Sequence, residues 1–181
     1  GNPPPGPNSL ARDGHPIAEV DRFRADPAAM AKLTGSKKID DVKAADYQII
    51  FLPGGHGTMW DFAQSKALGT LIGKIYDQGG IVGAVCHGPT GLLGARKADG
   101  TPLVDGKRVN GFTNSEEERV GLEAVIPYFT ETELIKQGGL FEKADPFTPH
   151  AVRDGRLITG QNPMSSARVA ALLLEVLAER H

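Results

Sequence analysis

Hydrophobic residues along this chain form two patterns, short continuous runs and longer stretches with helical spacing. The runs Tyr47–Leu52 and Ile81–Val85 are both apolar, and the first of them ends at Pro-Gly-Gly. Such runs are typical of parallel strands that are buried on both faces. Between them, Lys66–Gln78 carries apolar residues at i, i+3, i+4, i+7 and i+8, which predicts an amphipathic helix. The order of these segments predicts a βαβ unit with a right-handed crossover.

Turn and capping signals predict further elements on both sides of this unit. Asp26 followed by Pro27 is typical of the first turn of a short helix. Asp-Gly pairs at 105–106 and 154–155 predict two hairpins. Asn162, followed by proline, predicts the start of a last helix with an apolar stripe. Together these elements predict a single α/β domain over residues 1–181.

Composition and charge narrow the class of protein. Forty per cent of the 181 residues are hydrophobic and 23% are charged, as in ordinary globular proteins. The formal net charge of −2 gives no basic footprint for nucleic acid. The longest apolar runs are too short to cross a bilayer, and no signal-peptide pattern opens the sequence. We therefore expect a cytoplasmic protein with neither a nucleic acid nor a membrane as its partner.

The single cysteine, Cys86, follows the second predicted strand directly and precedes a predicted helix. Gly83 and Gly88 flank it, which is the pattern of a nucleophile elbow, a tight strand-to-helix turn that exposes a reactive side chain. A helix N-terminus favours a thiolate, and His87 is adjacent to it as a possible base. We expect an ionised, accessible sulfur. The alternatives are a small buried cysteine and an exposed histidine at a helix start.

A glycine-rich loop, Pro-Gly-Gly-His-Gly, ends the first predicted strand at the same edge of the sheet. Glycines allow backbone amides to approach a ligand closely, so Gly54, Gly55 and His56 are candidates for an oxyanion and substrate-binding loop. In this interpretation the amides of Gly55 and His87 donate to the oxyanion, and the alternative is an ordinary turn. Trp60 either lines the mouth of the pocket or packs in the core.

Three consecutive glutamates, Glu116, Glu117 and Glu118, follow a Gly-Phe-Thr-Asn-Ser segment. One of these carboxylates could orient His87, as the third member of a triad does. The alternative is a set of surface charges at the N-terminus of a helix, where they are favourable.

The sequence shows no signal for a cofactor or a metal ion. It contains neither a dinucleotide-binding fingerprint nor the lysine of a phosphate-binding loop. One cysteine excludes a disulfide framework and any multi-cysteine metal cage. His150 and His181 lack the spacing of metal ligands. We therefore expect no cofactor and no metal site.

Taken together, the motifs resemble those of the ThiJ/PfpI superfamily over essentially the whole chain. They are PGGHG at 53–57, AVCHGP at 84–89, GFTNSEE at 111–117 and DGRLITGQNP at 154–163. Within the superfamily, the chain is most similar to the branch of glutathione-independent glyoxalases (glyoxalase III) and heat-shock chaperones. The resemblance implies a flavodoxin-like three-layer sandwich with a mostly parallel sheet.

The resemblance also implies a mechanism. Cys86 would be the nucleophile, His87 its partner, and Glu117 rather than Glu116 the triad acid. The expected activity is a cofactor-free conversion of methylglyoxal-type 2-oxoaldehydes to 2-hydroxy acids through a cysteine hemithioacetal, in a homodimer. The alternatives are a cysteine peptidase or amidase, a protein deglycase, and a stress-responsive chaperone or redox sensor.

The resemblance has one departure at the N-terminus. Members of the superfamily begin with a strand, a helix and a second strand, and a glutamate at the first strand–helix junction contacts the nucleophilic sulfur. Residues 1–10 here resemble the proline-rich segment that follows that unit. We therefore expect an N-terminally incomplete domain, either completed by a separate N-terminal fragment or truncated.

Overall fold

The computed structural model describes residues 10–12 and 15–180. The prediction about the N-terminal segment therefore lies outside the described residues except for Leu10, and so does that about His181. The chain divides into two compact units, residues 1–41 and 42–181. The single domain predicted for residues 1–181 stays a prediction.

The first unit is a small arrangement of short elements. These are strands β1 (Ala11–Arg12) and β2 (His15–Pro16), helices α1 (Ala18–Ala25) and α2 (Pro27–Thr34), and a 3₁₀ turn at Ile39–Asp41. The predicted helix start at Asp26 is confirmed, because the Asp26 carboxylate accepts hydrogen bonds from the amides of Ala28 and Ala29.

The second unit contains the central sheet and the predicted motifs. Its elements are β3 (Ile49–Leu52), α3 (Thr58–Asp61), α4 (Lys66–Asp77), β4 (Ile81–Val85), β5 (Arg108–Val109), α5 (Asn114–Val120), α6 (Thr130–Lys136), β6 (Leu140–Phe141), β7 (Ala151–Asp154), β8 (Leu157–Gly160) and α7 (Ser166–Ala178). Further 3₁₀ helices lie at Ala44–Asp46, Gly88–Gly94 and Pro163–Ser165.

Strands β3, β4, β8 and β7 form the central sheet in that order. The pairs β3–β4 and β4–β8 are parallel, while β7 and β8 are antiparallel and joined by the predicted turn, with Gly155 at φ 59°. The predicted βαβ unit is confirmed, since α4 connects β3 to its parallel neighbour β4. This mostly parallel sheet with helices agrees with the flavodoxin-like α/β fold that the family resemblance implies.

Helix α7 packs on the middle of the sheet, against β4 and β8. The predicted apolar stripe of α7 is buried there: Val169, Leu172, Leu173 and Val176. Close packing depends on Gly83, because a Cβ at that position would lie 2.8 Å from Cδ1 of Leu173. The fully buried strand β4 is therefore held firmly just before it reaches Cys86.

Strand β3 is less buried than its apolar sequence predicts. Phe51 is 40% exposed, and Ile49 and Ile50 are only partly buried. The reason lies in the topology, because β3 is at one edge of the described sheet and pairs only with β4. A strand at the edge of a sheet is covered by fewer neighbouring elements than a central strand, so its side chains can stay partly exposed.

The hairpin predicted around Asp105-Gly106 is wrong. Strand β5 pairs in parallel with β6, and the amide of Gly106 donates to the carbonyl of Gly138. The turn therefore leads into a strand that pairs with a distant segment, and local turn signals do not predict such a pairing. Across residues 10–12 and 15–180, no helix combines the length and the apolar character that crossing a membrane requires.

Candidate active site

Cys86 follows the last residue of β4 in a left-handed backbone conformation, with φ 62°. A residue other than glycine adopts this conformation at a cost of about 1–2 kcal/mol, so neighbouring contacts must hold it there. The amide of Cys86 donates to the carbonyl of Gly160 (2.9 Å), and its own carbonyl accepts from the amide of Phe112 (2.8 Å). These bonds fix the sharp turn that the glycine pattern predicts.

The loop after β3 approaches this turn closely because glycines line the contact. A Cβ on Gly54 would lie 2.6 Å from Cβ and 3.1 Å from Sγ of Cys86. A Cβ on Gly88 would lie 2.1 Å from the carbonyl oxygen of Leu52. Neither position has room for a side chain, so the two segments meet at the sulfur only because both residues are glycine.

Three side chains form a chain of contacts behind the sulfur. Sγ of Cys86 lies 3.3 Å from Nδ1 of His87. Nε2 of the same ring donates to Oε2 of Glu117 at 2.8 Å. His87 and Glu117 are almost fully buried, with side chains 1% and 2% exposed. The arrangement is that of a Cys-His-Glu triad, and Glu117 rather than Glu116 meets the imidazole.

A second histidine, His56, contacts the other oxygen of the same carboxylate. Its Nε2 lies 2.5 Å from Oε1 of Glu117, and its ring centroid lies 4.0 Å from that of His87. The His56 side chain is 31% exposed, so it connects the buried carboxylate to solvent. Its place in the glycine loop predicts proximity to the site, but no local signal indicates a bond to a residue 61 positions away.

Two backbone amides act on the sulfur, one from the glycine-rich loop and one from the residue that follows Cys86. Hydrogen bonding from the backbone amides of Gly55 and His87 to the thiolate lowers the pKa of Cys86. The hydroxyl of Thr58 lies 2.8 Å from the carbonyl oxygen of Gly55 and 3.1 Å from that of His87. Thr58 therefore contacts the peptide groups that follow Gly55 and His87, next to those that contain the two amides. The amides can stabilise negative charge that develops beside the sulfur.

Burial determines the protonation of Cys86. The residue is 7% exposed within an apolar cluster that includes Phe112, and this burial raises the pKa of the thiol from 9.0 to about 12. The amides of Gly55 and His87 lower the pKa, but by less than burial raises it. The ionised, accessible sulfur expected from the sequence is wrong. The segment that follows is a 3₁₀ helix, not the predicted α-helix with its aligned dipole.

The other two members of the triad have complementary charge states. Burial lowers the pKa of His87, and the hydrogen bond to Glu117 only partly offsets it. Burial favours a higher pKa for Glu117, but the hydrogen bonds from His87 and His56 hold it below its ordinary value. The resting site at neutral pH is therefore a thiol, a neutral imidazole and a carboxylate. In this state Nε2 carries the hydrogen, and Nδ1 is free to accept the thiol proton.

Alkylation of the single cysteine tests this protonation state. At pH 8 we expect iodoacetamide to modify Cys86 about a thousandfold more slowly in the folded protein than in protein unfolded by guanidinium. The folded rate should keep rising about tenfold per pH unit towards pH 12, whereas the unfolded rate levels off above pH 9. Equal rates at pH 8, measured by intact mass, would show an accessible thiolate instead.

Glu116 has a structural position that the sequence does not reveal. Its Oε2 accepts from the amide and hydroxyl of Thr113, both at 2.9 Å. Its Oε1 accepts from the amide of Phe147 and from the side chains of Gln161 and Asn162. These bonds tie together the loops behind the site. The surface-charge interpretation therefore holds for Glu118, which is exposed, and not for the buried Glu116 and Glu117.

Aromatic packing at the site involves Phe112 rather than Trp60. The Phe112 ring lies 4.4 Å from that of His87 and 6.1 Å from those of His56 and Phe147. Trp60 is 43% exposed on α3, so the core position considered for it is wrong. Phe112 belongs to the Gly-Phe-Thr motif, which was the available signal for its location.

The same site contains a group of side chains that could hold a metal ion. The ligand atoms of His56, His87 and Glu117 all lie within 4.8 Å of one another. No local sequence pattern predicts this group, because its members come from three separate segments.

Comparisons with known proteins identify relatives over most of the chain. The glutathione-independent glyoxalase HSP31 of Saccharomyces cerevisiae is 34% identical over 177 residues, covering 94% of this chain and 75% of the relative. The X-ray structure of the 24 kDa rapid encystment protein of Francisella tularensis superposes with a TM-score of 0.86 at 33% identity, covering 94% of this chain and 75% of that one.

A second solved structure, glyoxalase III of Candida albicans, matches with a TM-score of 0.82 and 30% identity, covering 88% of this chain and 70% of that chain. The DJ-1/PfpI family itself matches residues 19–176. The resemblance drawn from the glycine loop, the Cys-His pair and the Gly-Phe-Thr motif is confirmed. The chain belongs to the DJ-1/PfpI family.

Proposed function

We propose that this protein is a glutathione-independent glyoxalase that converts methylglyoxal-type 2-oxoaldehydes and water to 2-hydroxy acids, D-lactate in the case of methylglyoxal. The observation that carries this proposal is the placement of Cys86 Sγ 3.3 Å from Nδ1 of His87, whose other nitrogen is held by Glu117. Relatives that are 34%, 35% and 34% identical are named a glutathione-independent glyoxalase, a probable glutathione-independent glyoxalase and glyoxalase 3. These names support the same reaction here because the geometry of the site agrees with it.

The reaction begins with addition of the thiol to the aldehyde. Sγ of Cys86 bonds to the aldehyde carbon C1 while its proton passes to Nδ1 of His87. The C1 carbonyl electrons move to oxygen, and the amides of Gly55 and His87 stabilise that oxyanion. The imidazolium then returns the proton to the oxyanion, which leaves a hemithioacetal and a neutral imidazole.

An internal oxidation–reduction follows on the bound hemithioacetal. His87 removes the hydrogen of C1 as a proton, and the electron pair of the broken C1–H bond forms a C1–C2 double bond. The imidazolium passes that proton to the C2 carbonyl oxygen, which gives an enediol and a neutral imidazole. Return of a proton to C2 and loss of the C1 hydroxyl proton give a thioester with an alcohol at C2. C1 is oxidised and C2 is reduced by the same two electrons, so the electron count closes within the substrate.

Hydrolysis completes the cycle. Water attacks the thioester carbonyl, the bond between C1 and Sγ breaks, and the thiol of Cys86 recovers a proton. One water molecule is consumed for each 2-hydroxy acid formed. Glu117 keeps the imidazole of His87 oriented through these steps and balances the positive charge that it carries transiently.

The test is to measure D-lactate after mixing purified protein with methylglyoxal in the absence of glutathione. The product must be measured rather than the loss of methylglyoxal, because the 20 lysine and arginine side chains also consume the aldehyde. Protein unfolded by heat is the control for that background. Formation of D-lactate above the control supports the proposal, and its absence would overturn it.

A second substrate and the environment of Cys86 separate the proposal from its rivals. A peptidase or amidase would use the same elbow, so faster release of a peptide fluorophore than of D-lactate would favour that function. A redox sensor needs an accessible thiolate. The burial and high pKa of Cys86 argue against that role. A homodimer and a cytoplasmic location stay predictions.

A further inference from the structure

Two imidazole nitrogens and a carboxylate lie close together near the proposed nucleophile. Nε2 of His56 and Nε2 of His87 face opposite oxygens of Glu117, at 2.5 and 2.8 Å. All three ligand atoms lie within 4.8 Å of one another. The triad itself accounts for the contact of His87 with Glu117, but it gives no role to the second imidazole.

These distances are close to those of a metal site. Zn²⁺ binds imidazole nitrogen and carboxylate oxygen at about 2.0–2.2 Å in a tetrahedral arrangement, which separates neighbouring ligand atoms by about 3.3 Å. To admit the ion, the hydrogen-bonded atoms would have to move apart by less than about 1 Å. The two imidazole nitrogens, which lie within 4.8 Å of each other, would have to approach by at most about 1.5 Å. His56 lies on a loop and is partly exposed, so it can supply this movement.

The chemistry of the group selects the kind of ion. Two nitrogen ligands and one oxygen ligand suit Zn²⁺ and Co²⁺ better than Mg²⁺ or Ca²⁺, which prefer oxygen alone. The side chains of His87 and Glu117 are 1% and 2% exposed, whereas that of His56 is 31% exposed. A cation would therefore enter beside His56 and be held from within by the two buried ligands.

We propose that His56, His87 and Glu117 form a binding site for a divalent cation of the Zn²⁺ or Co²⁺ type, and that the bound cation inhibits the enzyme. A metal on Nε2 of His87 places the ring hydrogen on Nδ1, which faces the sulfur. His87 then has no lone pair with which to accept the thiol proton of Cys86. The inhibitory part of this inference rests on the proposed function, whereas the binding part does not.

Titration with Co²⁺ tests the binding site directly. Protein freed of metal with EDTA should bind one Co²⁺ per chain, seen by calorimetry and by visible d–d absorption. The variant His56→Gln should bind at least about 100-fold more weakly, because one of three ligands is lost. Two controls should keep the affinity of the unmodified protein within about threefold: His150→Gln, outside the group, and Cys86→Ala, which removes the nearby sulfur.

X-ray absorption of the Zn²⁺-loaded, unmodified protein gives a result that does not depend on the folding of any variant. The expected first shell contains nitrogen and oxygen only, whereas a sulfur neighbour at about 2.3 Å would place the metal on Cys86. That sulfur neighbour, a lack of Co²⁺ binding, or binding that survives His56→Gln but not Cys86→Ala would each overturn the site.

Inhibition is measured separately, as the Zn²⁺ dependence of D-lactate formation. The midpoint should match the dissociation constant of Zn²⁺, and EDTA should restore the rate. Activity that is unchanged at saturating Zn²⁺ would overturn the inhibitory role alone. If the protein forms no D-lactate at all, the proposed function fails, while the Co²⁺ titration still decides whether the site exists.

Discussion

Replacing Cys86 by alanine is expected to lower the kcat/KM for D-lactate formation from methylglyoxal by at least about 10³-fold. The proposed reaction proceeds through a covalent bond to Sγ. Cys86 is the single cysteine of the sequence, so no other thiol can replace it. The amides of Gly55 and His87 remain, but without a nucleophile they have no hemithioacetal oxyanion to stabilise.

The serine variant makes the comparison sharper. Cys86→Ser keeps a side chain of similar shape, so the tight contact with Gly54 is preserved. A hydroxyl is far less acidic than a thiol and a weaker nucleophile, so we expect a similar loss of activity. Unchanged circular dichroism spectra would confirm that both variants fold. Activity within tenfold of the unmodified protein in either variant would rule out a covalent mechanism through Cys86.

The central part of the fold is predictable because local hydrophobic patterns determine it. The apolar run before Cys86 and the helical spacing in Lys66–Gln78 identify β4 and α4 to within one residue. The elbow is predicted by the glycines around Cys86, because glycine allows the chain to turn sharply and to approach neighbouring backbone closely. The glycine loop and the elbow meet because parallel strands end at the same edge of a sheet.

The charge state of the site is not predictable in the same way. The pKa of Cys86 depends on how completely distant segments cover it, and these include Phe112 and helix α7. The partners of Glu117 are likewise set by the tertiary fold, since His56 lies 61 positions earlier in the chain. Sequence patterns identify the reactive groups, whereas burial and long-range contacts determine their protonation.

The glutamates following the Gly-Phe-Thr motif make the same point. Three identical side chains in succession give no basis for different roles in the sequence itself. In the structure Glu116 ties loops together, Glu117 bonds to two histidines, and Glu118 is exposed. The direction in which each residue of one short helix points, about 100° apart, separates these roles.

Glu117→Gln is expected to lower kcat by about 10²–10³-fold with little change in KM. The glutamine amide can donate to Nε2 of His87, which moves the ring hydrogen to Nδ1. The nitrogen that faces the thiol of Cys86 then has no lone pair with which to accept its proton. The amide also carries no charge to balance the imidazolium that forms during attack. Both effects act on the proton-transfer step rather than on substrate binding, so the loss should appear in kcat.

The matched control is Glu118→Gln, which makes the same chemical change one residue further along the same helix. Glu118 is exposed, so we expect kcat to stay within about twofold of the unmodified protein. If Glu117 had only a structural role, Glu117→Gln would lower the melting temperature and leave the pH profile of the remaining activity unchanged. Loss of the imidazole tautomer should instead change that profile. Equal kcat values for the two variants would remove Glu117 from the proposed triad.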